Sequence, residues 1–598
     1  KLKEKLAKME ASLWSTALMI TRLSTTKCSE RLKRAMDLFN AGDNKGAQAV
    51  LNEEEIEKDV EHNLHLIQLG EEGKKGLKIN IEEYQLKIKT LENEMSEGWG
   101  EQVLALHQKI VILNKTIYGE QSPEYAYALL RQGLAFSLLG KHNDALECHN
   151  LSLCILNMVF GVKHPDYATV LNCVGYEYGN LGDYQKALEY LQKALEIRID
   201  IFGEHHPDTA TSLNNVGLEY GYLGEYQRAL DYFLKALEIR VSFYGEKHPE
   251  IANTMNNIGC MYEALGDYQK ALEYAYKTLE MRQDLFGIKH PDTAYSYNHL
   301  GAAYCSLGNH QKALDYELKA LEILRSVFGE KHPNTASSFD LVGGEYSNLG
   351  DHQKALEYML KALDIREKVF GEDHPDIARS LNNVGTEYGE IGEYGKALEY
   401  LSHALNSYVK ILGVNHPNTA NVYHNLGWIH ENLCDYEKAL DYSKKALEIK
   451  INILGENHLD TAITYGIIAN IHRLSENLEE ALATQIKRKN ILHNIDGPMY
   501  AFEDCYRMMA ILKRNLRNYT DAIIDAKIAL EYGKKAYIDR PSWMANTYSC
   551  LANCQKEAGE IMESLQNYHI ALELYMKSDC QEDIKITNNR ISEIEKLI

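Results

Sequence analysis

His164 to Glu204 reads HPDYATVLNCVGYEYGNLGDYQKALEYLQKALEIRIDIFGE. Apolar or small residues fall at Ala168, Leu171, Val174, Gly175, Tyr178 and Leu181, mostly three or four apart, and this spacing predicts a helix. Pro165 suits the first turn of that helix, where a missing N–H costs nothing. Leu181-Gly182 is a stop signal, and Asp183 is placed to cap a second helix. The second helix carries Ala187, Leu188, Tyr190, Leu191, Ala194, Leu195, Ile197 and Ile201 on one broad face and ends at Phe202-Gly203. The stretch is therefore a helix–turn–helix with an apolar face that it cannot bury alone.

The same stretch recurs. The chain has 598 residues but only 10 prolines. Eight of these (Pro123, Pro165, Pro207, Pro249, Pro291, Pro333, Pro375 and Pro417) are spaced 42 residues apart. Glycines repeat at the same interval from Gly119 to Gly497. A period of this size means a solenoid, a propeller or an array. No stretch alternates with the period of a strand, which removes the propeller. The expected fold is all-α: a right-handed superhelical solenoid of about eleven stacked hairpins, with roughly three quarters or more of its residues helical.

Small residues recur where helices must approach closely. Gly175 repeats from Gly133 to Gly427, and Ala187 repeats as Ala229, Ala271, Ala313, Ala355, Ala397 and Ala439. Tyr178 and Tyr190 also recur, which accounts for 40 Tyr against 11 Phe. They read as a packing stripe with hydroxyls at the rim. The His before each proline, such as His164 and His206, reads as a turn residue that bonds locally. Acid-first pairs four apart, among them Glu189/Lys193, Glu273/Lys277 and Glu357/Lys361, mark a solvated outer face of the second helices.

These offsets of small residue, Gly, Tyr, Leu-Gly, Tyr and Ala closely resemble the tetratricopeptide repeat family. The length of 42, the HPDTA opening and the KALEIR…FGE ending are similar to the repeats of kinesin light chains. The resemblance covers roughly residues 101–497 and implies a protein-binding scaffold whose first helices line a concave groove. Kinesin light chains also carry a long heptad region that pairs with a heavy chain, whereas here one stretch holds about three heptads.

Four regions are expected. Residues 1–100 form an N-terminal helical region with short heptads (Leu2 to Leu23, and Ile81 to Met95) and a degenerate repeat over Arg31 to Leu51. Residues 101–497 are the regular array, 498–577 two degenerate units, and 578–598 a capping helix.

Composition narrows the function. With 64 Lys+Arg against 86 Asp+Glu the net charge is −22, which argues against nucleic acid or an anionic membrane as a partner. No apolar run is long enough to span a bilayer, and no secretory signal is expected. The 11 cysteines lack CxxC pairs and read as small buried hydrophobes of a reducing compartment, so a cytoplasmic location is expected. No catalytic motif stands in a supporting context, and neither a metal site nor a cofactor is expected. The Gly70 to Gly76 run lacks the spacing of a phosphate loop, and His205-His206 lacks that of a metal pair.

The groove row remains. By the resemblance, the residue three before the packing glycine faces the groove: Asn172, Asn214, Asn256, Asn298, Asp340, Asn382 and His424. An amide offers donors and an acceptor to a peptide backbone. The neighbouring Asn215, Asn257, Asn383 and Asn425 match a family position that ties one repeat to the next. Positions one after the glycine (Tyr176, Leu218, Cys260, Trp428) and earlier on the helix (Thr169, Asn253, Arg379) vary strongly, as a surface fitted to a partner would. Two readings follow: a non-catalytic scaffold that holds a peptide or partner protein in the groove, or the sensing part of a larger signalling or immune-type protein. In the second, a nucleotide-switch or protease effector lies upstream of Lys1, and residues 2–23 serve as a joint or a self-association helix.

Overall fold

The computed structural model describes residues 30–67, 71–94, 98–370, 373–495, 497–537, 541–578 and 580–596. Among them, 86% are helical, in 28 helices that pack as repeating pairs, and no strand occurs. The expected heptad from Leu2 to Leu23 lies outside the described residues. The chain divides into two compact units, residues 1–413 and 414–598.

Each regular hairpin is built from the same local chemistry. Helix Pro165–Asn180 begins with Pro165 in its first turn, and His164 Nδ1 accepts the Asp166 backbone N–H at 3.2 Å. The same cap recurs at His206, His248, His290, His332, His374, His416 and His458. From His164 to His374 the ring also stacks on the aromatic residue four before it, as Phe202 on His206 at 4.4 Å and Tyr244 on His248 at 3.8 Å, whereas Leu412 and Leu454 precede His416 and His458. One imidazole thus satisfies an orphan donor and seals the joint. Helix Tyr184–Phe202 is capped by Asp183, which accepts from the Lys186 N–H.

Between the two helices the chain turns at a residue in the left-handed region, Gly182 at φ +80°. Later hairpins hold that conformation without glycine, at Cys434, Glu476 and Arg517. All three side chains are exposed, and the strain of positive φ is held by the backbone hydrogen bonds that close the turn, as from Asp435 N–H to the His430 carbonyl at 2.9 Å. At the crossing, a Cβ added to Gly175 would lie 2.8 Å from Leu191 Cγ and 3.1 Å from the Ala187 carbonyl oxygen. The small-residue series is therefore a contact series, and Ala187, Ala229 and Ala271 are all buried.

The tyrosine stripe packs as expected. Tyr178 stacks on Tyr190 at 5.4 Å, Tyr220 on Tyr232 at 5.4 Å and Tyr304 on Tyr316 at 5.7 Å. Lysines lie over these rings, Lys186 over Tyr178 and Lys193 over Tyr190. Of the acid–lysine pairs four apart, Glu273–Lys277, Glu357–Lys361 and Asp441–Lys445 close as ion pairs on the exposed face. The ten cysteines among the described residues are free thiols, with Cys505, Cys550 and Cys554 buried.

Two features depart from a simple ladder. Helix Glu71–Glu94 holds the expected second heptad, but Ile81, Tyr84, Ile88 and Leu91 are buried in a core rather than set along a coiled-coil seam. That core also contains Trp99, Leu139, Phe339, Val342 and Val369. In the first unit, then, early hairpins meet hairpins two hundred residues later. His374 Nε2 lies 3.2 Å from the Leu138 carbonyl oxygen, and a Cβ on Gly140 would lie 2.4 Å from Pro375. Contacts in this unit are therefore not confined to sequence neighbours. In the second unit the last described helix, Gln581–Glu595, buries Ile591 and Ile594 against Ala552 and Tyr568.

Ala229 is fully buried in its second helix, so Ala229→Leu overpacks the crossing at a cost of about 1–3 kcal/mol. Hydrogen exchange read peptide by peptide is expected to speed up in the helices flanking residue 229. Protection around Ala439, in the other unit, is expected to stay at its native level. Uniform acceleration along the chain would show one cooperative body instead.

Candidate functional site

The second helices carry a buried arginine at a fixed offset: Arg198, Arg240, Arg282 and Arg366, all under a tenth exposed. Each guanidinium spans three helices. Arg198 Nη1 donates to Ser212 Oγ at 3.0 Å and to the Asp208 carbonyl at 3.1 Å, both on the next hairpin. Its Nη2 donates to Thr169 Oγ1 at 3.3 Å on the helix before. Arg240 repeats this with Thr254, the Glu250 carbonyl and Thr211, and Arg282 with Ser296, the Asp292 carbonyl and Asn253. Arg366 reaches Ser380, Ser337 and the Asp340 carboxylate.

This ladder fixes the sequence-derived row. Asn172, with its amide oxygen turned toward Arg198, accepts from both guanidinium nitrogens at 3.1 and 3.2 Å. Asp340 pairs with Arg366. Asn214 Oδ1 accepts from Asn257 Nδ2 at 2.8 Å, a tie between successive hairpins of the kind expected of Asn257. Asn256 is buried, 4% exposed. Asn298, Asn382 and His424 are half-buried, and burial, with Lys450 nearby, holds the His424 imidazole below its usual pKa. The row is thus less open to water than a row of free groove amides, because arginines engage Asn172 and Asp340, Asn257 engages Asn214, and Asn256 is buried.

In the joint where leucine replaces the arginine, two of its partners are orphaned. Leu324 takes the arginine offset and is fully buried. Ser338 Oγ and Asn298 Oδ1, at the offsets that Arg198 bonds in its own joint, are buried without a hydrogen-bond partner. Tyr295 fills the place that Thr169 holds beside Arg198, and is 6% exposed.

The first unit also contains a recess of about 390 Å³ between its early and late hairpins. Tyr176, Asp340 and Arg379 meet there, with Leu341, Phe370 and Asn383 in the wall. Arg379 is 44% exposed and lies 3.3 Å from Asp376. Leu341 is 40% exposed, although apolar. The structure does not bring Asn214, Asn256, Asn298 or Asn382 into this recess, and His424 and Trp428 belong to the other unit. The recess joins segments two hundred residues apart, and no periodic signal marks it.

A second recurring contact, between histidine and glutamate, links successive hairpins. His142 lies 2.8 Å from Glu177, His310 3.1 Å from Glu345 and His352 2.9 Å from Glu387. In the regular copies the histidine position is Tyr184, Tyr226 or Tyr268.

The sequence profile of the tetratricopeptide repeat matches residues 166–242, 220–284, 250–326, 292–368, 346–408, 390–452 and 429–487. The chain belongs to the tetratricopeptide repeat family. No curated protein matches the sequence. Among solved structures, a kinesin light chain with nearly identical tetratricopeptide-like repeats from Podosopora anserina is 22% identical, covering 34% of this chain and 97% of its own, at a TM-score of 0.30. BtubC (BKLC) from P. vanneervenii is 22% identical over 40% of this chain and 92% of its own, at 0.32. Yeast Tom70 is 16% identical over 79% and 97%, at 0.41. Scores of this size say nothing of partner or activity. Repeats of this family are protein-interaction scaffolds. Among the described residues no helix is long and apolar enough to cross a membrane.

The orphaned joint gives a test of the arginine slot. Leu324→Arg alone is expected to destabilise, because Tyr295 occupies the guanidinium's place. Combined with Tyr295→Thr it recreates the set around Arg198, and the two changes are expected to couple favourably by about 0.5–3 kcal/mol in a double-mutant cycle of chemical denaturation. Simple additivity would show that the slot does not organise its partners.

Proposed function

We propose that the chain is a non-catalytic scaffold that holds a peptide or a partner's extended segment along the inner row of its first helices, with an anchor in the recess of the first unit. The observation that supports this is the chemistry of the recess wall. Leu341, Tyr176 and Phe370 offer apolar surface, and Arg379 stands at the rim with its guanidinium partly in water. Leu341 and Arg379 are both exposed, so the recess presents an apolar group and a cation together. A segment with a large apolar side chain next to a carboxylate fits both groups, since guanidinium donates to carboxylates in a charge-assisted pair. The half-buried row residues Asn382, on the same first helix as Arg379, and His424, on a first helix of the second unit, extend the same kind of surface within their own units. Trp428 adds a half-buried aromatic in the second unit.

A displayed random peptide library panned on the full chain is expected to yield a consensus with an aromatic or aliphatic residue beside Asp or Glu. Arg379→Ala and Leu341→Ala are each expected to weaken the selected peptide at least about tenfold, or 1.4 kcal/mol, with Tm unchanged because both side chains are exposed. Equal affinity in both variants would place the site elsewhere.

A further inference from the structure

One hairpin joint in the first unit carries chemistry that the others lack. Cys305, at the end of the first helix of its hairpin, stands where the regular copies have Gly179, Gly221 and Gly389. His310 opens the second helix of that hairpin, and Glu345 comes from the first helix of the next. One ligand atom from each of the three lies within 4.8 Å of the others. His310 Nδ1 is 3.1 Å from Glu345 Oε2. Asn348 Nδ2 donates to Cys305 Sγ at 3.6 Å and to Glu345 Oε1 at 3.2 Å, which holds thiol and carboxylate toward the same point.

A fourth group stands behind them. Glu317 is 2% exposed and takes the packing position filled by Leu191, Phe233, Met359 and Leu401 in other hairpins. Its Oε2 has no hydrogen-bond partner. Burial, and then the charge of Glu345, push its carboxyl up to about 8. Burial, then Glu345, also push the Cys305 thiol up to about 12, with Glu317 acting in the same sense. The joint therefore holds a thiol, an imidazole and two carboxyl groups, one of them buried with an oxygen that has no hydrogen-bond partner.

We propose that Cys305 Sγ, His310 Nδ1 and the Glu345 carboxylate form a site for a borderline divalent transition-metal ion of the zinc class. A thiolate, an imidazole and a carboxylate are the mixed donor set that such an ion takes, in preference to Mg²⁺ or Ca²⁺, which want oxygen alone. Three protein ligands leave a fourth position for water. Asn348 serves as the outer partner that orients two of the ligands. Entry is open, because His310 is 30% exposed and Cys305 is only partly buried. Binding displaces the thiol proton, so each ion taken up releases at least one proton.

The same chain supplies a control. His352 and Glu387 form the equivalent pair one hairpin on, but Ser347 stands at the cysteine position and Met359 at that of Glu317. Full-length protein stripped with a chelator is titrated with Co²⁺ and read by absorption. The expected result is one tight equivalent with a thiolate-to-cobalt charge-transfer band, displaced by one equivalent of Zn²⁺. Cys305→Ser is expected to abolish the band, and Cys305→Ser and His310→Gln each to weaken Co²⁺ at least about tenfold. Both residues are partly exposed, so the variants keep the fold, which circular dichroism checks. His352→Gln is expected to leave the titration unchanged. Uptake of Co²⁺ by the native chain without the band, or a band that survives in Cys305→Ser, overturns the proposal.

Discussion

A guanidinium buried between three helices is the constraint on which the regular joints depend. From one position on the second helix, Arg198 bonds a hydroxyl fourteen residues ahead and another twenty-nine behind. It thereby sets the distance between consecutive hairpins as well as between the two helices of its own. Burying the charge is costly, and neutral hydroxyls and main-chain carbonyls do not return all of that cost. The slot consequently accepts other solutions of like volume. Leu324 fills it without polar bonds, Tyr408 fills it beside Arg379, and Lys450 reaches Thr464 from it at 3.1 Å. Each exchange changes the partner residue on the preceding first helix: Thr169 with arginine, Tyr295 with leucine, Arg379 with tyrosine. Much of the variation along the inner row follows from what stands in this slot.

That coupling limits how far the inner row was legible in the sequence. The hairpins themselves were legible, because the interval of 42 placed every proline, cap and packing glycine before any contact was known. The histidine caps followed from the same register. The arginine did not, because KALEIR on an amphipathic helix reads as a charged residue at the edge of the apolar face. Only the arrival of the next hairpin's Ser212 and Asp208 carbonyl turns that edge into an interior. Asn172 and Asp340 then acquire structural partners that no spacing within their own helix reveals.

The contact of Leu138 with His374 was illegible for a different reason. It joins residues 236 apart, and a periodic sequence fixes neighbours but leaves the accumulated curvature of many joints unstated. Small differences at each crossing add up over the hairpins between, and the sum decides whether early and late hairpins meet. The recess that holds Tyr176, Asp340 and Arg379 exists only because they do.

The Cys305 joint shows how chemistry enters such an array without disturbing it. Ligand motifs read along one helix miss it, since its residues come from three helices, at offsets that hold Gly179, Tyr184 and Glu219 in a regular joint. The same offsets four hairpins earlier hold Ser137, His142 and Glu177, with His149 at the position of Glu317. There the acid is matched by two imidazoles, 2.8 and 3.8 Å from its oxygens, and their pull keeps the Glu177 carboxyl low against a burial that acts to raise it. At Cys305 the second imidazole is replaced by a carboxylate, and the balance of charge reverses. Because flanking joints supply the packing, one joint tolerates a polar set that an isolated domain of a single hairpin pair could not bury. A repeat fold therefore offers the same constellation of offsets many times over, and a few exchanges at one joint are enough to make it a site.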